Sequence, residues 1–185
     1  MAAATDGFWR RLARALNPFG RARRRDGEDA AADAPAASVD PETDARREAA
    51  RIAKREGAWG EAQAARWLRR ELGWKILAQN VRYGPRLELD IVARQKDPSV
   101  LVFVEVKTSR SERHGRPYDR VDDAKRRAQS RAALRYLREL KVPVPHIRFD
   151  VVEVVGFSEN AEAPVIRRIE NAYPMEFGRR QGARR

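Results

Sequence analysis

The residues able to do chemistry in this chain fall in two short runs, Glu88-Leu89-Asp90 and Glu105-Val106-Lys107. Side chains two apart on a strand share a face. On that spacing Glu88 projects with Asp90, and Leu87, Leu89 and Ile91 take the other side. Glu105 likewise projects with Lys107, on the face that Leu101 and Phe103 make apolar, while Val102, Val104 and Val106 point the opposite way. A face that begins apolar and ends acidic and basic is the edge of a core carrying a site. Asp90 and Glu105, on neighbouring strands, supply hard oxygen ligands of the kind that hold Mg²⁺ or Mn²⁺ while leaving waters on the ion. The carbonyl of Val106 offers a further oxygen. A cation there polarises a phosphodiester oxygen and makes its bound water more acidic. Lys107 beside that water positions it and offsets the negative charge developing on phosphorus. Metal-assisted phosphodiester hydrolysis needs no more than this set.

The composition leaves few rival chemistries. The chain of 185 residues has no cysteine and two histidines, His114 and His146. Disulfides, thiolate metal sites and cysteine nucleophiles are excluded, and a histidine triad or cage has little to draw on. No run of 18 or more apolar residues exists, so no integral membrane association is expected. Arginines interrupt the N-terminal apolar positions, no signal peptide is legible, and a cytoplasmic location follows. The formal net charge is +12 and the sequence pI about 10.9, the balance of a protein that meets a polyanion. Residues 45–170 hold 28 basic and 18 acidic side chains, so +10 of the +12 belongs to the body.

The elements that must position these residues divide the chain into three parts. Residues 1–44 read as a leader, basic through residue 25 and acidic over Asp26–Asp44, with Phe8, Trp9, Leu12, Leu16 and Phe19 at near-helical spacing. Residues 45–170 form the domain and 171–185 a basic tail. Helix is expected from Pro41–Asp44 to Arg55, then an interruption at Gly57 and Gly60, then helix over Glu61–Leu72 stopped by Gly73. Strands follow over Trp74–Val81, Leu87–Arg94 and Val100–Thr108. Ser109–Asp119 is a polar loop, and Val121–Leu140 is a helix opened by Asp122 and Asp123. Ile147–Val155 is a fourth strand and Val165–Glu170 a short fifth. The order α-β-β-β-α-β gives an α/β domain with a mixed central sheet.

Basic side chains gather where a nucleic acid would pass. Lys125 and Gln129 stand four apart on one helix face and reach toward the site or a phosphate; Arg131 extends that surface. Arg110, Arg113, His114 and Arg116 follow Lys107 directly on the loop, the place for a backbone clamp. His114 is a further candidate for proton transfer. Asp150, on the fourth strand, reads as one half of a structural ion pair.

Several segments together carry a family resemblance over residues 57–155. They are Gly60-Glu61 opening a helix, Asn80-Val81-Arg82, the run Glu88–Ala93, the run Val102–Lys107, and Arg148-Phe149-Asp150-Val151-Val152. On these the chain resembles the YraN family of endonuclease-like bacterial proteins, of the PD-(D/E)xK restriction-endonuclease-like superfamily, and is similar to archaeal Holliday-junction resolvases. The resemblance implies a restriction-endonuclease-like three-layer core. It implies catalytic roles for Glu61, Asp90, Glu105 and Lys107, with Glu61 as the helix glutamate, Asp90 and Glu105 as metal ligands and Lys107 as the catalytic lysine. It adds Arg82 to the nucleic-acid contacts, and it implies Mg²⁺ or Mn²⁺ as cofactor, DNA, structured or branched, as substrate, and a homodimer able to face two strands. Leu87 stands where the family usually has glycine, and Leu89 where the superfamily's name has proline. Alone, Glu105 and Lys107 would be a surface ion pair worth about 0–1 kcal/mol; with Asp90 and the family context they read as a site. The expected function is a metal-dependent DNA endonuclease, and the alternative is a nucleic-acid-binding protein that keeps the nuclease fold without catalysis.

Overall fold

Among the described residues seven elements build the domain, and a glycine contact sets how closely two of its layers meet. The computed structural model describes residues 41–95, 99–113, 118, 121–140, 144–159 and 162–176. The leader through residue 40, His114, Arg116 and residues 177–185 of the tail lie outside the described residues. In order the elements are α1 (Pro41–Arg70), β1 (Lys75–Arg82), β2 (Glu88–Arg94), β3 (Val100–Ser109), α2 (Asp123–Leu140), β4 (His146–Val155) and β5 (Val165–Tyr173).

Helix α1 opens on Pro41 with Glu42 and Asp44 in its first turn and closes on Arg69 and Arg70, charges suited to the two ends of its dipole. Gly73, at φ 65°, lets the chain leave it. The interruption expected at Gly57 and Gly60 is absent: α1 runs unbroken through both. A glycine costs a helix interior about 1 kcal/mol against alanine, and Ala64, Ala65 and Leu68, each at most 1% exposed, bury enough of α1 to outweigh that. Gly60 also has a positive reason to be glycine. A Cβ on it would lie 1.8 Å from Thr108 Oγ1 and 2.9 Å from Thr108 Cβ, so the helix backbone rests directly on β3.

The five strands lie in their sequence order, β1-β2-β3-β4-β5. β1, β2 and β3 form an antiparallel meander, β3 and β4 run parallel from Val100↔His146 to Ser109↔Val155, and β5 returns antiparallel to β4. The parallel pair requires a crossover, which α2 supplies. Asp122 caps α2, its Oδ1 accepting the Lys125 N–H at 2.7 Å. The helix therefore starts at Asp123, and Val121 drops into the core. β5 extends past the expected Glu170 to Tyr173, taking in the first residues assigned to the tail, because Tyr173 is 3% exposed and packs in the core.

Alternation along the strands sorts the core into two layers. Leu101, Phe103, Phe149 and Val151 pack with Ala132, Ala133, Tyr136 and Leu140 of α2. Val102, Val104, Val106, Val152 and Val154 pack with Ala64, Ala65 and Leu68 of α1. The result is the expected three-layer α/β/α core. In the α2 layer Phe103, Phe149 and Tyr173 stack in a row with centroids 5.5 and 5.3 Å apart, contacts worth about 0.5–1.5 kcal/mol each beyond burial. That row carries the Tyr173 hydroxyl into the interior. No helix among the described residues is long and apolar enough to cross a membrane.

Candidate active site

The site forms where β2 and β3 part. Their ladder runs from Arg94↔Leu101 to Ile91↔Val104 and stops there. One step further in that register come Asp90 and Glu105. In place of another rung, Asp90 Oδ2 accepts the Val106 N–H at 2.8 Å. The split also disturbs the side-chain alternation of β2. Leu89 packs in the α2 layer and Ile91 in the α1 layer, so the expected sharing of one face by Leu87, Leu89 and Ile91 does not hold through Asp90.

Glu105 is 1% exposed, and each of its oxygens is answered. Lys107 Nζ lies 2.8 Å and Lys125 Nζ 3.2 Å from Oε1. Gln129 Nε2 donates to Oε2, and the Tyr173 hydroxyl donates to Gln129 Oε1. A carboxylate only accepts, so the Gln129 amide must present its NH₂ to Glu105 and its carbonyl to Tyr173. Burial, with Glu105 and Asp90 nearby, pushes the Tyr173 phenol far up, so it stays a donor. A directed chain from Tyr173 through Gln129 thus fixes the plane of Glu105. An unanswered buried carboxylate would cost several kcal/mol, which is why two lysines and an amide converge on this one.

Asp90 is 8% exposed. Burial, joined by the charge of Glu105, holds its carboxyl well above the usual range; the Val106 N–H and Lys125 act the other way. For Lys125, burial opposes the charge, yet Glu105, Asp90 and Glu88 outweigh it and raise the ammonium above its ordinary value. It remains charged, 3.3 Å from Glu88 Oε1.

Glu61 approaches from α1. Burial raises its carboxyl, a hydrogen bond with the Asn80 side chain lowers it, and Glu88 and Glu105 add repulsion. Asn80 sits between Gln79↔Ile91 and Val81↔Leu89 in the β1–β2 register, across from Asp90. Its φ is 53°, a left-handed conformation that asparagine tolerates better than most residues. The Gly60 contact with Thr108 sets the distance of α1 from β3, and hence that of Glu61 from the acids. The Gly60-Glu61 and Asn80 motifs therefore act as one device.

The structure brings Glu61, Asp90, Glu105, Lys107 and Lys125 together. Gln129 joins them as a buried brace, 3% exposed, rather than on a surface facing a phosphate. Arg82 stands at the rim, 3.8 Å from Glu88. Arg110 lies over the Phe157 ring at 5.1 Å; Arg113 and Arg131 are exposed. Asp150 is fully buried between Arg148 and Arg168, at 2.7 and 3.0 Å, and accepts the Asn171 N–H, the structural role expected of it. Three contributors escaped the sequence reading. Asn80 had only its place in a motif, Tyr173 fell in the supposed tail, and Glu153 looked like one more strand acid. Glu153 is fully buried beside Lys107 in the β3–β4 register and accepts the Tyr118 N–H at 2.9 Å, fastening the far end of the loop that follows β3.

The donor set fits one hard cation. Two buried carboxylates stand side by side with mutual repulsion recorded in the raised Asp90 carboxyl, and Mg²⁺ commonly binds through one or two protein carboxylates with waters completing its shell. Among the described residues no group of three or more His, Cys, Asp or Glu side chains forms a closed metal cage. A site made only of Asp90 and Glu105 would leave the remaining positions on a cation to water.

Comparison with known proteins places these motifs among relatives. The model of the uncharacterised protein family UPF0102 matches residues 60–154. A UPF0102 protein of Syntrophotalea carbinolica is 49% identical over 106 residues, covering 57% of this chain and 83% of the relative. One from Symbiobacterium thermophilum is 46% identical over 103 residues, 56% and 84% of the two chains. One from Bifidobacterium longum is 42% identical over 124 residues, 65% and 94%.

Proposed function

The chain belongs to the uncharacterised protein family UPF0102, the YraN family read from its motifs, and from that premise we propose that it is a metal-dependent endonuclease hydrolysing phosphodiester bonds of DNA. The observation that carries this reading is the buried pair Asp90 and Glu105 at the parting of β2 and β3, with Lys107 2.8 Å from Glu105. Structural ion pairs do not need a second carboxylate held at a cost beside the first.

Asp90 and Glu105 would hold the cation, Mg²⁺ or Mn²⁺. When bound, it supplies Lewis-acid polarisation of a phosphoryl oxygen and a more acidic water. The protein's own groups do the rest. Val106 N–H and the Tyr173–Gln129 chain fix the two carboxylates, so neither must reorganise during reaction. Lys107, about a fifth exposed, reaches from Glu105 toward solvent, where it orients the attacking water and meets the negative charge developing on the phosphate oxygens. Water oxygen bonds to phosphorus, one phosphorus–oxygen ester bond breaks, and the departing oxygen leaves protonated. Glu61, whose carboxyl is raised by burial, stands on the α1 side as a group able to bind or relay a proton. Lys125 balances Glu88 and Glu105 and keeps the acids from repelling the DNA backbone.

The deciding test is cleavage of linear, single-stranded and four-way-junction DNA with Mg²⁺ or Mn²⁺. Asp90→Ala and Lys107→Ala are expected to lose at least about 10²-fold in rate while keeping most DNA affinity. Intact binding with no cut on any substrate would favour the non-catalytic nucleic-acid-binding reading.

A further inference from the structure

The second half of α1 carries arginines that no acid among the described residues pairs with. In its first half Arg46, Arg47 and Arg51 pair with Glu42, Asp44 and Glu48 on the same helix, and Arg55 reaches Glu159. Past Glu61 the pattern changes. Ala62, Ala65, Arg66, Arg69 and Arg70 recur three and four apart on one stripe and, with Gln79 of the edge strand β1, line an open depression of about 420 Å³. No acid lines it. Among the described residues none of these three arginines makes an ion pair; Arg69 reaches only the Gln79 side-chain carbonyl, at 3.5 Å. The two alanines lower the floor so that three guanidinium groups stand around it.

A helix-dipole role accounts for Arg69 and Arg70, which lie in the last turn, but Arg66 is one turn too early for it. The stripe also has a direction. It begins at Ala62, the residue after Glu61, and at 1.5 Å per residue Arg70 lies about 13 Å along the axis from Glu61. Measured along a duplex axis, that is the rise of about four phosphates of one strand at ~3.4 Å each. Arginine suits the work, because its planar fork takes phosphate oxygens in pairs.

We propose that Arg66, Arg69 and Arg70 form a second nucleic-acid contact that holds the DNA backbone continuing from the cleavage site along α1. The proposal rests on the nuclease reading and adds a substrate-positioning surface to it.

Binding of a short fluorescent duplex by the full chain, measured without divalent metal across a range of NaCl concentrations, tests this apart from cleavage. The R66Q/R69Q/R70Q variant is compared with R46Q/R47Q/R51Q, which removes the same charge from the neutralised half of the helix. The expected result is a log K against log[salt] slope shallower by about 2–3 for the first variant and little changed for the second. Equal weakening of both, or no change in the first, overturns the proposal even if the wild type binds and cuts DNA. A wild type that neither binds nor cuts overturns the nuclease reading as well. Arg66→Gln alone, outside the last turn, guards against loss of helix, and its slope should fall by about 1 with an unchanged melting temperature.

Discussion

Asp90 and Glu105 lie one step beyond the last rung of the β2–β3 ladder, both buried, one answered by a backbone N–H and the other by two lysines and an amide. The arrangement is asymmetric. Glu105 is fully compensated, whereas Asp90 has its carboxyl raised by burial and by Glu105. A raised carboxyl lends stability that is complete below its ordinary value of 3.8 and is lost as pH climbs through the folded value. At neutral pH, without metal, Asp90 therefore works against the fold. Asp90→Asn should melt higher than wild type at pH 7, and the difference should shrink as pH falls toward 4. Mn²⁺ should raise the melting temperature of the wild type and leave the variant unmoved. A variant less stable than wild type at pH 7 would contradict this account of Asp90.

The parts of this site were unequally legible in the sequence. Strand alternation located Glu105, Lys107, Leu101 and Phe103 correctly, since β3 is regular and pairs with β4 along its whole length, past the point where β2 leaves it. The same rule misread β2 around Asp90, because pairing with β3 ends there and alternation holds only along a regular strand. Helix-breaking by Gly57 and Gly60 was overruled by burial of the α1 face, a tertiary effect that local propensity does not contain. Tyr173 could not be placed at all without the β4–β5 register, which depends on partners distant in sequence.

The Tyr173 hydroxyl matters only through Gln129. Tyr173→Phe keeps the stacking on Phe149 and removes one donor, leaving the Gln129 carbonyl buried and unanswered at a cost of about 1–3 kcal/mol. The melting temperature should fall accordingly. If the proposed cleavage is observed, kcat should drop by about 10-fold with KM unchanged, because Tyr173 touches Glu105's brace and not the DNA. Gln129→Leu should lower kcat further. A change confined to KM would place Tyr173 outside the Glu105 relay.

Gly60 and Thr108 make a pair whose coupling is measurable. Gly60→Ala puts a methyl 1.8 Å from Thr108 Oγ1 and should cost about 1–3 kcal/mol as an overpacked contact, despite the gain in helix propensity. Thr108→Ala removes the oxygen but leaves a Cβ 2.9 Å from the new methyl. The double variant should therefore recover part of the loss, and denaturant unfolding of all four proteins would show a favourable interaction term. Simple additivity would mean that α1 and β3 are not held at this contact.

Glu56 gives the fold an acid-side limit, on the depression it lines together with Glu61 and Val106. It is 8% exposed, on α1, and its carboxylate accepts from the Ser158 hydroxyl at 2.7 Å and the Ser158 N–H at 3.2 Å, tying the helix to the turn after β4. The Ser158 hydroxyl bond lowers its carboxyl below the ordinary 4.5, with burial opposing and Arg110 and Arg55 assisting. A lowered carboxyl contributes stability that is present above 4.5 and is lost as pH falls through the folded value. Glu56→Gln should thus melt below wild type at pH 7, and the two curves should converge on acidification beneath pH 4.5. Ser158→Ala should flatten the same limb by removing the hydroxyl bond, the largest single contribution to the lowered carboxyl. Thermal melts from pH 3 to 7 would decide it, and parallel curves for wild type and Glu56→Gln would show that the clasp contributes nothing through its charge.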